Sequence, residues 1–242
     1  MSKKKKHTFA KLMLIILLLL LVAGFLFLQL KSFGKAPDGA RLERIKKTSH
    51  YVNGSFVNLT NTPVSGENSN YFSLLKKFIF NDVKTSPSHK VPSIKTDLNK
   101  KPGPEPTITY FGHSAYMVQI DGKNLLMDPV LSERVSPVQW FGSKNYDGTH
   151  VFEFGDLPAI DFVILSHDHY DHMDYETLKQ FAGKSTRFVV PLGVGSHLEY
   201  WGIDSKNITE LDWWENTNVL GDSLSLTATP ARHFSGRLFT RG

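Results

Sequence analysis

Phe162-Val-Ile-Leu-Ser-His-Asp-His-Tyr-Asp-His172 joins two unlike pieces of chain. Phe162 to Leu165 are all apolar and Val163 and Ile164 are β-branched, as in a buried strand. His167, His169, Asp171 and His172 follow at once in the order H-x-H-x-D-H. In a chain of this length and composition chance produces that order roughly once in a thousand sequences. A solvated polar loop is the competing account. Four such groups crowded at the end of a buried strand would be poorly solvated, and a divalent cation removes that cost. His167 and His169, two apart on extended chain, can point the same way. Asp171 and His172 can turn toward a neighbouring position, so one cluster can serve two adjacent ions.

The elements on either side are legible by period and punctuation. Thr107 to Phe111 and Ala115 to Ile120 read as strands, Asp121-Gly122 as a hairpin turn and Lys123 to Met127 as the returning strand, ended by Asp128-Pro129. Downstream, Asp174 is placed to cap a helix from about Tyr175 to Phe181. Arg187 to Pro191 is a strand, a short helix lies near Ser196 to Tyr200, and Ile208 to Leu211 is a further strand. Leu224, Leu226 and Ala228 alternate with Ser223, Ser225 and Thr227, as in a half-buried strand that stops just before His233. Strands interspersed with helices predict a layered α/β domain over residues 106–242. His197 is assigned to the surface of its short helix, and Trp213 and Trp214 to packing.

Upstream the composition changes. Residues 1–11 are basic, and Leu12 to Leu30 carries no charge. At about 1.5 Å per residue that run spans about 28 Å, close to a bilayer's hydrocarbon thickness. A retained transmembrane signal anchor is the reading adopted; a cleaved signal peptide and a buried helix are the alternatives. The lysines before the run place the N-terminus in the cytoplasm and the domain outside, on a single-pass protein of the cell membrane. Residues 31–105 read as linker and leader, with one short amphipathic helix over Asn70 to Phe80 formed by Tyr71, Leu74, Leu75, Phe78 and Ile79.

The net charge of +5 equals the contribution of Lys3, Lys4, Lys5, Lys6 and Lys11, so the rest sums to about zero. No broadly basic face is left for a nucleic acid. There is no cysteine, which excludes disulfides and thiolate chemistry and leaves metal binding to His and carboxylates.

His167 to His172 resembles the signature of the metallo-beta-lactamase superfamily. Tyr110-Phe-Gly-His-Ser114, Leu126-Met-Asp-Pro-Val130, Pro191-Leu-Gly-Val194, Glu210-Leu-Asp-Trp-Trp214 and Thr229-Pro-Ala-Arg-His-Phe-Ser-Gly-Arg237 resemble its branch of N-acyl-phosphatidylethanolamine phospholipase D-like proteins, with ascorbate-6-phosphate lactonase-like proteins more distant. The resemblance covers residues 107–242 well. Ser49-His-Tyr51 through Phe56-Val-Asn58 is more weakly similar to the leader of such proteins.

The resemblance implies an αββα sandwich. His167, His169 and His233 would hold one divalent ion, and Asp171 and His172 would contribute to a second; zinc is expected, with manganese or iron as alternatives. Asp128 would orient a ligand histidine, a plain Asp-Pro turn cap being its rival. His113 would lie near the pocket, unless it is an ordinary histidine. The family also uses a bridging aspartate and a later histidine, neither found by Gly242. The sequence is therefore read as the first half of the sandwich, preceded by a transmembrane helix and forming a fragment of a longer protein. An incomplete, inactive product is the alternative, and a homodimer is the other source the missing ligands could have. The expected chemistry is hydrolysis by metal-activated hydroxide, with Asp171 helping to hold it. A lipid head-group phosphodiester is the expected substrate, with the bilayer as partner. A lactone, a soluble cell-envelope metabolite or a non-catalytic, metal-stabilised membrane protein are the alternatives.

Overall fold

The computed structural model describes residues 3–60, 70, 72, 73, 76, 80, 86–100, 105–221 and 223–237. The apolar positions of the helix expected over Asn70 to Phe80 lie outside them. At the N-terminus, α1 (Lys3–Leu28) projects with its apolar side chains exposed. Its stretch His7–Leu28 is long and apolar enough to cross a membrane, and none of that window is buried in the protein. The helix stops two residues short of the apolar run, and the chain passes into a 3-10 turn at Lys31–Phe33.

The domain is organised on a six-stranded sheet in the order β3-β4-β5-β6-β7-β8. These are β3 (Thr107–Gly112), β4 (Ala115–Ile120), β5 (Lys123–Met127), β6 (Phe162–Ile164), β7 (Arg187–Pro191) and β8 (Ile208–Leu211). The first three pair antiparallel and the last four parallel. Neighbouring residues of one strand supply opposite faces. Met117, Leu126, Val163, Phe188 and Val190 face α3 (Tyr175–Leu178) and α4 (Gly195–Tyr200) in the main core. Leu125, Phe162 and Val189 pack with Leu211 and Val219 on the other side.

A strand absent from the sequence reading, β9 (Asn216–Asn218), pairs with β10 (Ser225–Thr227) as a separate hairpin. Its Asn-Thr-Asn composition carries no hydrophobic period, so only the pairing reveals it. The helix after Asp174 is α-helical to Leu178 and 3-10 over Lys179–Phe181, with Asp174 accepting from the Glu176 N–H.

The leader lies on this domain. Phe33 and Ile45 are buried, and α2 (Gly39–Lys46) is tied down through Arg41 to Glu199 and Glu210 and through Arg44 to Glu215. A hairpin of β1 (Tyr51–Val52) and β2 (Ser55–Phe56) follows. Two expectations are corrected here. His197 is 6% exposed rather than on a surface, because Lys35 covers it and donates its N–H to Nδ1 at 3.0 Å. Trp213 packs as expected, stacked on His50 at 3.9 Å, but Trp214 is 64% exposed with φ +69°.

Candidate metal centre

β6 ends at Ile164, and the next residues are pinned at both ends by buried Leu165 and Met173. Between those anchors the His172 and Met173 N–H groups both turn back to the His169 carbonyl, at 3.1 and 2.8 Å. This tight reversal projects His167, His169, Asp171 and His172 to one side of the loop. His233 arrives from the segment after β10, its N–H held at 3.1 Å by Asn58 Oδ1 of the leader.

Two groups of donors result. His233 Nε2 lies 3.0 Å from His167 Nε2 and 3.1 Å from His169 Nδ1. His113 Nε2 lies 3.2 Å from Asp171 Oδ2 and 3.3 Å from His172 Nε2. The groups are neighbours, since the rings of His167 and His172 are 4.0 Å apart. Every predicted ligand is therefore in one of the groups. His113, which the sequence left between pocket and ordinary histidine, is the third member of the second.

The donor set fits cations. Burial, reinforced by His172, His169 and His233, pushes His167 down to about 3. Burial and His233 likewise lower His169. Such imidazoles are neutral near pH 7, so their lone pairs converge without protons to separate them. Tetrahedral coordination at about 2.0–2.1 Å sets neighbouring nitrogens about 3.3–3.4 Å apart, near the spacing seen. His172 differs. Burial opposes its charge, but the hydrogen-bonded Asp128 carboxylate and Asp171 outweigh burial and raise its pKa.

Asp128 orients both groups. Its Oδ1 accepts the Ser166 N–H at 2.7 Å, and its Oδ2 accepts the Ser166 hydroxyl at 2.7 Å and His172 Nδ1–H at 2.8 Å. Ser166 Oγ in turn accepts from His167 Nδ1 at 2.9 Å. One buried carboxylate thus holds the Nδ1 proton of one histidine directly and of another through a hydroxyl, so that in each neutral ring Nε2 carries the free lone pair. Asp128 has φ +39° and His113 φ +50°, conformations that cost on the order of 1 kcal/mol or more. We expect Asp128→Asn to weaken metal binding about 10- to 100-fold, read by competition with a chromophoric chelator. Unchanged affinity would reduce Asp128 to the cap of an Asp-Pro turn.

Several further residues of the site lie in the segments Tyr110–Ser114 and Thr229–Arg237 that carried the resemblance, but the sequence assigned them no role. Arg237, 1% exposed, donates to the carbonyls of Asp168 at 2.8 Å, Ser32 at 2.8 Å and Met173 at 2.5 Å. Ser235 donates to the buried Asp168. Ser114 Oγ stands 2.9 Å from His172 Nδ1. Gly236 passes over His169 so closely that a Cβ would lie 2.5 Å from Nε2, a buried atom with no hydrogen-bond partner among the described residues.

Comparison with known proteins agrees with the motifs. Residues 123–242 match the beta-lactamase superfamily domain. An uncharacterized protein of Mycobacterium tuberculosis is 35% identical over 207 residues, which are 84% of this chain and 55% of the relative. N-acyl-phosphatidylethanolamine-hydrolyzing phospholipase D 1 of Caenorhabditis elegans is 32% identical over 136 residues, 53% of this chain and 38% of that protein. A UPF0173 metal-dependent hydrolase of Pyrobaculum neutrophilum is 32% identical over 135 residues, 54% of this chain and 52% of that protein. The chain spans about half the length of the first of these relatives.

Proposed function

The chain belongs, through residues 123–242, to the beta-lactamase superfamily, and from that membership we propose that it is a membrane-anchored, metal-dependent hydrolase of lipid head-group phosphodiesters. The observation that carries the hydrolase reading is the pair of adjacent donor groups, His167–His169–His233 and His113–Asp171–His172. The lipid reading rests on the similarity to the nematode phospholipase D and on α1, which would keep the site at a bilayer surface. The lysines ahead of α1 favour a cytoplasmic N-terminus and an extracytoplasmic domain.

Divalent ions held by these groups, zinc being favoured by imidazole-rich ligands and manganese or iron the alternatives, would supply a water acidic enough to ionise near neutrality and polarise the oxygen under attack. The chain's own residues do the rest. Asp171, part-exposed beside His113, accepts a proton from the attacking water. That water's oxygen bonds to phosphorus, the bond from phosphorus to the head-group oxygen breaks, and the proton passes to the departing alcohol. A phosphatidate-type product remains. Asp128 and Ser166 keep the Nε2 lone pairs of His167 and His172 aimed inward throughout.

The test is elemental analysis of the full chain, purified in detergent and loaded with zinc, manganese or iron, followed by product analysis on phospholipid vesicles. We expect about two ions per chain and release of head-group alcohol with a phosphatidate-type lipid. On acidification the His113–Asp171–His172 group should empty first, because protons compete sooner for His172, whose pKa is raised, than for His167, held at about 3. Bound ions with lactone opening but no lipid product would keep the hydrolase and overturn its substrate. A folded chain that binds no ion would overturn both.

A further inference from the structure

The loop after β5 closes on itself. Arg134 and Lys144 form a β-bridge, Val135 N–H donates to the Ser143 carbonyl at 3.1 Å, and Arg134 Nη1 to the Gly142 carbonyl at 2.7 Å. Gln139 exchanges two hydrogen bonds with the Arg134 backbone, both 3.0 Å. Gly142, at φ +107°, lets the limbs meet: a Cβ there would lie 2.5 Å from that of Ser136. Buried Val138 roots the loop in the domain. This fixed scaffold holds Trp140 and Phe141 outward, 75% and 64% exposed. Two adjacent aromatics displayed by a well-bonded loop are a costly way to meet water.

Their position says what they meet. Trp140 lies 6.3 Å from Phe27 in the last turn of α1. Phe27 packs at 5.2 Å on Phe33, and Phe33 at 6.5 Å on Tyr170, between His169 and Asp171. The exit of α1 is bonded to the domain. Trp201 Nε1 donates to the Lys31 carbonyl at 2.7 Å, Arg237 to the Ser32 carbonyl and Ser196 Oγ to the Lys35 carbonyl at 2.8 Å each. An apolar helix leaving a bilayer at Leu28 puts Phe27, and whatever touches it, at the level of the head groups, where tryptophan concentrates.

We propose that the Trp140–Phe141 tip is a second membrane contact, entering the head-group layer of the leaflet from which α1 emerges. It holds the metal loop one layer of aromatic rings from the lipid surface. This rests on the reading that α1 spans the bilayer. Rigid attachment at two points, helix and tip, would fix the tilt of the domain, so that the mouth of the site faces lipid.

The absence of cysteine allows unique labelling. The full chain carrying Phe141→Cys, with Trp140→Cys as a second position, is labelled with an environment-sensitive fluorophore. It is reconstituted in phosphatidylcholine–phosphatidylglycerol vesicles containing lipids brominated near the head group or at mid-chain. Leu18→Cys reports on α1, and Lys206→Cys, at the opposite ends of the parallel strands, is the aqueous control. The tip probes are expected to lose emission mainly to head-group-proximal bromines, the Leu18 probe mainly to mid-chain bromines, and the Lys206 probe to neither. Quenching at Leu18 with none at either tip position overturns the second contact while leaving the anchor intact. No quenching at Leu18 overturns the anchor and the proposal with it. Tip emission shifted to the blue yet unquenched by either lipid means that a second copy of the chain covers the tip, which also overturns it.

Discussion

Arg237→Ala is expected to destabilise the domain by about 3–5 kcal/mol, a large share of what holds a domain of this size together. Arg237 joins segments far apart in sequence: the exit of α1 at Ser32 and the two ends of the ligand loop, at Asp168 and at Met173 just before α3. Its guanidinium also lies over the rings of Tyr170 and Trp201, at 4.2 and 5.2 Å. Truncation leaves buried carbonyls without donors, each costing about 1–3 kcal/mol, and opens a hole beside two aromatic rings. Arg237→Lys keeps the charge but not the planar fork of donors, so it should fall between wild type and alanine. Thermal unfolding of the solubilised full chain, without added metal, measures the loss apart from any ligand effect. A change below about 1 kcal/mol, within the range of ordinary surface substitutions, would mean that the three carbonyls find other partners and that Arg237 does not tie the exit of α1 to the His167–His172 loop.

Asp171→Asn should leave stability nearly unchanged and lower turnover by about 100- to 10,000-fold. Asparagine keeps the shape of the side chain but cannot take up a proton, and its neutral oxygen is a weaker ligand than a carboxylate. Asp171 is part-exposed and contacts His113 at 3.2 Å, so the fold depends on it little. The measurement pairs kcat with metal content on whichever ester or phosphodiester the wild type hydrolyses. Lost turnover with both ions retained assigns proton handling. Lost turnover with one ion missing assigns ligation. Turnover within a few-fold of wild type, with full metal, removes Asp171 from the chemistry and directs attention to His113.

The strands and the ligand loop were legible because their signals are local. Alternating apolar residues in Ala115–Ile120 and the Asp121-Gly122 turn sit within a few residues of one another, and so do the histidines after β6. β9 escaped because Asn216–Asn218 has no period and gains its identity from β10. His197 was misplaced because its burial comes from Lys35, 162 residues away in sequence. Arg237 closes a motif that the sequence singled out, but its role escaped for the same reason, as its partners reach back 205 residues to Ser32.

Residue types and spacing alone therefore determined that this chain has an apolar N-terminal helix, a layered domain and a loop of candidate metal ligands without thiolates. The tertiary structure decided how the ligands group. It set His113 against His172, 59 residues apart, and His233 against His167, 66 residues apart. It also made Asp128 the orienting partner of both histidines and seated the leader under the metal loop. A strand or a turn is dictated by interactions between near neighbours. A coordination site is dictated by side chains converging on one point, and that convergence exists only once the sheet has brought distant segments together.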